Sequence, residues 1–354
     1  MGLHNLDEGW YDEMHNTFQK LGFMQSKIDH SVFIRRLVTK REDLVIAVAT
    51  NDMAITGNLD QAVTRFKHKI KKVYEITDLG NLRWFLGMEI KRDRAVHTIS
   101  INQCTYIEGM ATKFGLTNTK PICVPMLPGK TLSHDQSPST SAESQEMSKI
   151  PYENMIGHVL WPVMISRPDA VFATTILSQF VSTPGPAHVK ALKRLISYLY
   201  TMRKCWLTFG GKDTKILTYT DADYVQQADR HSISGYCLIF GARAISWSSK
   251  KQNIVTLSST EAEYIGHTNA TKEILWIRNF WAKINGKSIF DPTLLRADNQ
   301  GTIQLSNNNK FHARTKHIDI DEPPHQIHSY TLLFSLFLHF PYIANPPLCT
   351  SAPM

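Results

Sequence analysis

The sequence predicts an α+β unit followed by an α/β unit, connected through a polar stretch and a run of helices. Three observations predict this. Short apolar runs of strand character alternate with amphipathic helical runs over the first 120 or so residues. Residues 129–148 are rich in Ser, Thr and Gln and carry no apolar periodicity, as expected of a mobile linker. Beyond residue 215, strand-like runs lead into one long helical stretch and then a further strand, which is the order of an α/β unit. The composition permits such cores: 42% of the 354 residues are hydrophobic and 20% charged, which excludes collagen-like, low-complexity and wholly disordered chains.

Taken in order, residues 10–23 predict a helix, with Trp10, Met14, Phe18 and Leu21 at helical intervals. Residues 31–34 and 43–48 predict two strands, and Thr56-Gly57-Asn58 punctuates the chain. A basic amphipathic helix follows over 59–73, carrying Lys67, Lys69, Lys71 and Lys72. Asp78-Leu79-Gly80 leads into a strand over 84–90, and this α+β unit is expected to end near Pro121. Helical patterns cover 152–165, 170–181 and 187–201, bounded by Arg167-Pro168-Asp169 and Pro184-Gly185-Pro186, with proline favoured at a helix start. The last unit predicts strands at 217–220, 235–240, 244–247 and 294–297, and a helix at 260–281.

Lysine and arginine outnumber Asp and Glu by 39 to 31, a net charge of +8 that is compatible with a polyanionic partner without establishing one. The five cysteines are scattered and show no ligand spacing, so neither a disulfide framework nor a zinc site is expected, and a reducing, intracellular compartment is. The N-terminus shows no signal-peptide pattern. Residues 323–354 contain no Asp, Glu, Lys or Arg. Their apolar part, 330–343, is shorter than the ~20 residues of a spanning helix and holds His339 and Pro341, so no membrane association is expected.

Several acidic residues stand where chemistry needs them. Asp221 and Asp298 each end a predicted strand, and the carboxyl ends of strands in open α/β sheets are where sites form. Carboxylates gathered there repel one another, which a shared hard cation resolves. Glu261 and Glu263 open the long helix about 200° apart, so only one faces the sheet. Glu263 continues into His267, Ala270, Ile274 and Ile277, the apolar stripe, and is the one chosen. Thr260 with Glu263 and Ser258 with Glu261 both fit a capping box, which accounts for either glutamate without chemistry. Asp319 and Asp321 come last, one of them a fourth carboxylate if the site is a metal cluster. Asp223 and Asp229 have the character of surface or turn residues, and Arg314-Thr315-Lys316 that of a phosphate-facing loop.

These residues fall in longer strings. Tyr219-Thr220-Asp221-Ala222-Asp223, Ser234-Gly235-Tyr236-Cys237, Ser246-Trp247-Ser248-Ser249-Lys250-Lys251-Gln252, Ser258-Ser259-Thr260-Glu261-Ala262-Glu263-Tyr264, Ala297-Asp298-Asn299-Gln300 and Arg314-Thr315-Lys316-His317-Ile318-Asp319 closely resemble the ribonuclease H domain of copia-type LTR retrotransposon Pol polyproteins. Upstream, Asp29-His30-Ser31-Val32-Phe33, Asp78-Leu79-Gly80, Phe85-Leu86-Gly87-Met88-Glu89, Arg167-Pro168-Asp169 and Leu177-Ser178-Gln179-Phe180 resemble the carboxyl half of the reverse transcriptase and its connection. The resemblance covers about residues 2–321. It implies an α+β reverse-transcriptase palm and connection remnant followed by an α/β ribonuclease H-like domain with a mixed sheet. The implied bounds are 1–124 for the truncated palm and thumb, 125–214 for the linker and helical connection, 215–321 for the ribonuclease H-like domain and 322–354 for a divergent tail.

The resemblance also implies roles. The family's polymerase holds two Mg²⁺ on three aspartates, one upstream and two in a Tyr-Val-Asp-Asp turn. Here the turn is Ala49-Thr50-Asn51-Asp52, a degenerate site in which Asn51 supplies no charge and Asp52 alone survives, and the upstream aspartate has no counterpart, so polymerase activity is expected to be lost. Asp221, Glu263, Asp298 and Asp319 fall on the four catalytic, metal-binding carboxylate positions of the family's ribonuclease H, with Asp321 in reserve for the fourth. Two Mg²⁺, for which Mn²⁺ can substitute, are the implied cofactors, one activating water and the other stabilising the leaving 3′ oxygen. The implied partner is an RNA–DNA hybrid, recognised by its shape and 2′-hydroxyls, with Lys250, Lys251, Arg314 and Lys316 as candidate contacts. The expected function is metal-dependent cleavage of RNA in such hybrids, leaving 5′-phosphate and 3′-hydroxyl ends; the alternative is an inert fragment that at most binds nucleic acid. After Asp321 the family continues with a charged helix that covers the sheet, and this chain has the uncharged tail.

Overall fold

Phenylalanines placed at helical and strand intervals build the first core. Helix α1 (His4–Lys20) turns Met14 and Phe18 inward, and both are fully buried. The computed structural model describes residues 4–49, 52–129, 131–210, 215–224, 229–241, 243–286 and 292–307. The described residues divide into two compact units, one of residues 4–93 with 275–286 and one of residues 94–274 with 292–307.

In the first unit, β1 (Met24–Gln25), β2 (Val32–Leu37), β3 (Glu42–Ala49) and β4 (Asp52–Gly57) form an antiparallel sheet in chain order. Strand β4 covers the Thr56-Gly57 punctuation, which ends a strand that the sequence pattern leaves unmarked. Helix α2 (Asp60–Ile70) buries Ala62, Val63, Phe66 and Ile70 at 3.6-residue spacing and leaves Lys69 exposed, as an amphipathic helix requires. The rings of Phe18 and Phe33 meet edge-on at 4.8 Å between centroids and those of Phe23 and Phe66 at 5.1 Å. Asp78 accepts from Lys67 Nζ at 3.1 Å and from the Gly80 backbone N–H at 3.0 Å, which fixes the Asp-Leu-Gly turn. The strand expected over 84–90 is instead a hairpin of β5 (Trp84–Phe85) and β6 (Met88–Asp93). Its turn residues Leu86 and Gly87 have φ of 50° and 75°, left-handed backbone that no strand accommodates.

The second unit opens with β7 (Thr98–Asn102) and α3 (Cys104–Lys113). Strand β7 is antiparallel to β8 (Leu207–Gly210), more than a hundred residues on. The expected mobile linker is ordered. Within it α4 (Ser141–Ser148) starts on a reciprocal capping box between Thr140 and Glu143, and Leu132 and Met147 are buried in the helical core. A Ser/Thr/Gln-rich composition hid two apolar anchors and a cap. Helices α5 (Tyr152–Ile165), α6 (Val171–Ser178) and α7 (Pro186–Thr201) pack around Val159, Leu192 and Leu195. The Arg-Pro-Asp string between α5 and α6 is a clasp on a buried guanidinium, that of Arg167. Asp169 Oδ2 accepts from Arg167 Nη2 at 2.7 Å and from the Tyr198 hydroxyl at 2.5 Å.

The last sheet contains β9 (Leu217–Asp223), β10 (Ile233–Phe240), β11 (Arg243–Lys251) and β12 (Leu294–Arg296), in the order β11-β10-β9-β12. The first three are antiparallel neighbours and β12 runs parallel to β9, so the sheet is mixed. Helix α8 (Ser259–Asn285) supplies the crossover from β11 to β12 that a parallel partner requires, and α9 (Gln300–Asn307) follows. The four described cysteines are free, and among the described residues no helix is long and apolar enough to cross a membrane. Residues 308–354, and with them the uncharged tail, lie outside the described residues.

Candidate metal centre

Strand periodicity sets the first carboxylate. Along β9, Thr218, Thr220 and Ala222 are buried while Tyr219 and Asp221 are exposed, so Asp221 stands on the opposite face from the buried threonines. Parallel register sets the second. Leu294 pairs with Leu217 and Arg296 with Tyr219, so continuing by two residues brings Asp298 abreast of Asp221. Helix α8 sets the third. A Cβ built on Gly266 would lie 3.7 Å from the Asp221 carbonyl oxygen, which puts the helix backbone directly on β9. Three residues earlier, Glu263 Oε1 accepts the Ala222 backbone N–H at 3.1 Å.

The outcome is a cluster in which one carboxylate oxygen from each of Asp221, Glu263 and Asp298 lies within 4.8 Å of the others. Asp221 and Asp298 are exposed, whereas Glu263 is 5% exposed and its Oε2 is buried with no hydrogen-bond partner. Burial pushes the Glu263 carboxyl up from 4.5 to about 7; the Ala222 N–H opposes this, and the charges of Asp221 and Asp298 add to it. Asp223 is also raised, by burial and then by Asp221. Three hard oxygen donors and one orphaned buried oxygen form a donor set that suits a divalent ion such as Mg²⁺ or Mn²⁺.

The two glutamates of the helix start divide as their 200° separation requires. Glu261 closes the cap: its Oε2 accepts the Leu257 N–H at 2.7 Å, and its own N–H donates to Ser258 Oγ at 3.2 Å. Glu263 faces the cluster. Gln252, the last residue of the Ser-Lys-Lys-Gln string, is buried and donates through Nε2 to Ser234 Oγ at 2.6 Å and to the Ala262 carbonyl at 2.8 Å. That amide fastens the first turn of α8 to β10.

A cavity of about 640 Å³ adjoins the cluster, lined among others by Phe172, Tyr219, Asp221, Asp223, Arg296 and Asp298. The Arg296 guanidinium lies 5.6 Å from the Tyr219 ring centroid. Of the candidate contacts, Lys250 is exposed on β11, but Lys251 is committed to an ion pair with Asp229 and donates to Gln179 Oε1 at 3.2 Å. Asp229, an exposed turn residue as expected, is the partner of Lys251. Arg314, Lys316, Asp319 and Asp321 lie outside the described residues, as does Asn51. Asp52 opens β4, half-buried, and burial raises its pKa. Sequence reasoning passed over His267 and Asp223. The signal for His267 was a titratable side chain on an otherwise apolar stripe, and for Asp223 the two-residue spacing from Asp221.

Residues 1–128 match the family model described as reverse transcriptase (RNA-dependent DNA polymerase). The retrovirus-related Pol polyprotein from transposon TNT 1-94 of Nicotiana tabacum is 33% identical over 320 residues, 90% of this chain and 24% of that polyprotein. The corresponding polyprotein from transposon RE1 of Arabidopsis thaliana is 32% identical over 323 residues, 90% of this chain and 21% of its own length. A putative transposon Ty5-1 protein of Saccharomyces cerevisiae is 28% identical over 279 residues, 77% of this chain and 88% of that protein. The chain thus spans under a quarter of the length of the two plant polyproteins. No solved structure matches.

Proposed function

The chain belongs to the Pol polyproteins of copia-type retrotransposons, with a reverse transcriptase domain in its first 128 residues, and on that premise we propose that its working site is a ribonuclease H-type centre that cleaves RNA in RNA–DNA hybrids. The observation that carries this is the convergence of Asp221, Glu263 and Asp298 within 4.8 Å, with a buried and unpartnered oxygen on Glu263. The mixed sheet supports it, because its parallel β9–β12 pair delivers two aspartates to one end. Polymerase chemistry is proposed to be lost at Asn51, where an amide stands in place of a carboxylate.

Mg²⁺ ions supply, when bound, activation of water and stabilisation of the leaving 3′ oxygen. The protein's own part is to present the donors. Asp221 extends from within β9 and Asp298 from just past the end of β12, both exposed and accessible to a phosphate, while Glu263 approaches from the helix with its orientation fixed by the Ala222 N–H. Because burial holds the Glu263 carboxyl near neutrality, a cation competes there with a proton, and occupancy rises with pH through about 7. Asp319 or Asp321 is proposed as the fourth carboxylate.

Cleavage of an end-labelled RNA–DNA hybrid tests the reading. Activity is expected with Mg²⁺, none with chelator, and none in Asp298→Asn. Equal cleavage by wild type and Asp298→Asn, or no cleavage by either, removes the enzymatic reading.

A further inference from the structure

Strand pairing places one cation beside the three carboxylates. Arg296 pairs with Tyr219 across the parallel β9–β12 ladder. Tyr219 shares the exposed face of β9 with Asp221, which lies two residues, or about 6.6 Å, farther along the strand. The Arg296 guanidinium lies over the Tyr219 ring, 5.6 Å from its centroid, and its Nη1 donates to the Tyr219 hydroxyl at 3.3 Å.

The cavity of about 640 Å³ is lined by this pair together with Asp221, Asp223 and Asp298. Among its described lining residues Arg296 is the single cation, set against three aspartates. Among the described residues no ion pair engages it, and Tyr219 takes one of its donors. An exposed guanidinium seated on an aromatic ring is suited to a phosphate: its planar fork matches two phosphate oxygens, and the seat reduces the freedom it loses on binding.

We propose that Arg296, seated on Tyr219, binds a phosphodiester of the strand being cut, the one adjacent to the phosphodiester held at the carboxylates. This rests on the reading of Asp221, Glu263 and Asp298 as a ribonuclease H-type centre, and it adds the contact that sets the path of the strand. The aspartates alone repel a polyanion. With cations on the carboxylates and Arg296 beside them, two successive phosphates each have a positive partner. Arg296 contributes to binding and takes no proton in the reaction.

Steady-state cleavage of an end-labelled RNA–DNA hybrid with Mg²⁺, by the full chain, tests this in wild type, Arg296→Ala, Arg296→Lys and Tyr219→Leu. Arg296→Ala should raise KM about tenfold with little change in kcat, as loss of a contact made equally in the ground and transition states does. Arg296→Lys keeps the charge but neither the fork nor the stacking, so it should recover the loss only in part. Tyr219→Leu changes no charge and should raise KM as well. Hybrid binding in chelator, followed by fluorescence anisotropy over a potassium chloride series, reads the same contact without turnover. There the slope of log affinity against log salt should become shallower by about one in Arg296→Ala. Wild-type KM or salt slope in Arg296→Ala, full recovery in Arg296→Lys, or wild-type KM in Tyr219→Leu would each overturn the proposal while leaving the carboxylate centre standing. Absence of cleavage by the wild type would remove the ribonuclease H reading and this inference with it.

Discussion

Replacing Glu263 by glutamine should stabilise the metal-free protein at pH 8 and leave it unchanged at pH 4. The Glu263 carboxyl titrates near 4.5 in an unfolded chain and is pushed up to about 7 in the fold, chiefly by burial, with the Asp221 and Asp298 charges adding to it. Below 4.5 both states hold the proton and nothing is lost. Between 4.5 and 7 the unfolded chain releases the proton more readily, so the folded state loses stability as pH rises, and above 7 the penalty is complete. At about 1.36 kcal/mol per pH unit this amounts to at most roughly 3.4 kcal/mol. Glutamine removes the charge and keeps an acceptor for the Ala222 N–H. Urea unfolding with chelator present, followed at pH 4, 6 and 8, reads the difference. Excess Mg²⁺ should offset the advantage of the variant, because a ligand at a hundred times its dissociation constant stabilises the wild type by about 2.7 kcal/mol. A variant equally stabilised or destabilised at all three pH values would refute the reasoning.

Other consequences are as concrete. Asp169→Ala leaves the buried Arg167 guanidinium without its carboxylate and should cost about 3–5 kcal/mol in urea unfolding; wild-type stability would contradict the clasp. Thr140→Ala removes half of a capping box and should cost about 1 kcal/mol locally, seen as faster amide exchange over residues 141–148. Unchanged exchange there would return that stretch to a linker. Primer extension on an RNA template with Mg²⁺ should fail, and measurable extension would overturn the reading of Asn51.

Periodicity made much of this legible. The 200° between Glu261 and Glu263 singled out the one that faces the sheet, and the strand patterns pointed to Asp221 and Asp298, although Asp221 lies within β9, which runs on to Asp223, and does not end the strand. What periodicity could not show was register: that Asp298 stands abreast of Asp221 follows from the pairing of Leu294 with Leu217, a contact between distant segments. The same blindness to long-range pairing hid the partner of β7, because β8 lies more than a hundred residues away. The error at 129–148 was compositional, since a few buried side chains and one cap outweigh a polar average. His267 was hidden by being counted with its apolar neighbours. Its missing hydrogen bond is a property of the folded environment and of no sequence pattern.

The claim under all of these is that Asp221, Glu263 and Asp298 together hold divalent cations. Counting bound Mn²⁺ by electron paramagnetic resonance, in wild type and in an Asp221→Asn/Asp298→Asn variant, tests it without requiring turnover. The account predicts at least one tightly bound ion per wild-type chain and none in the variant, while equal binding by the two proteins would contradict it.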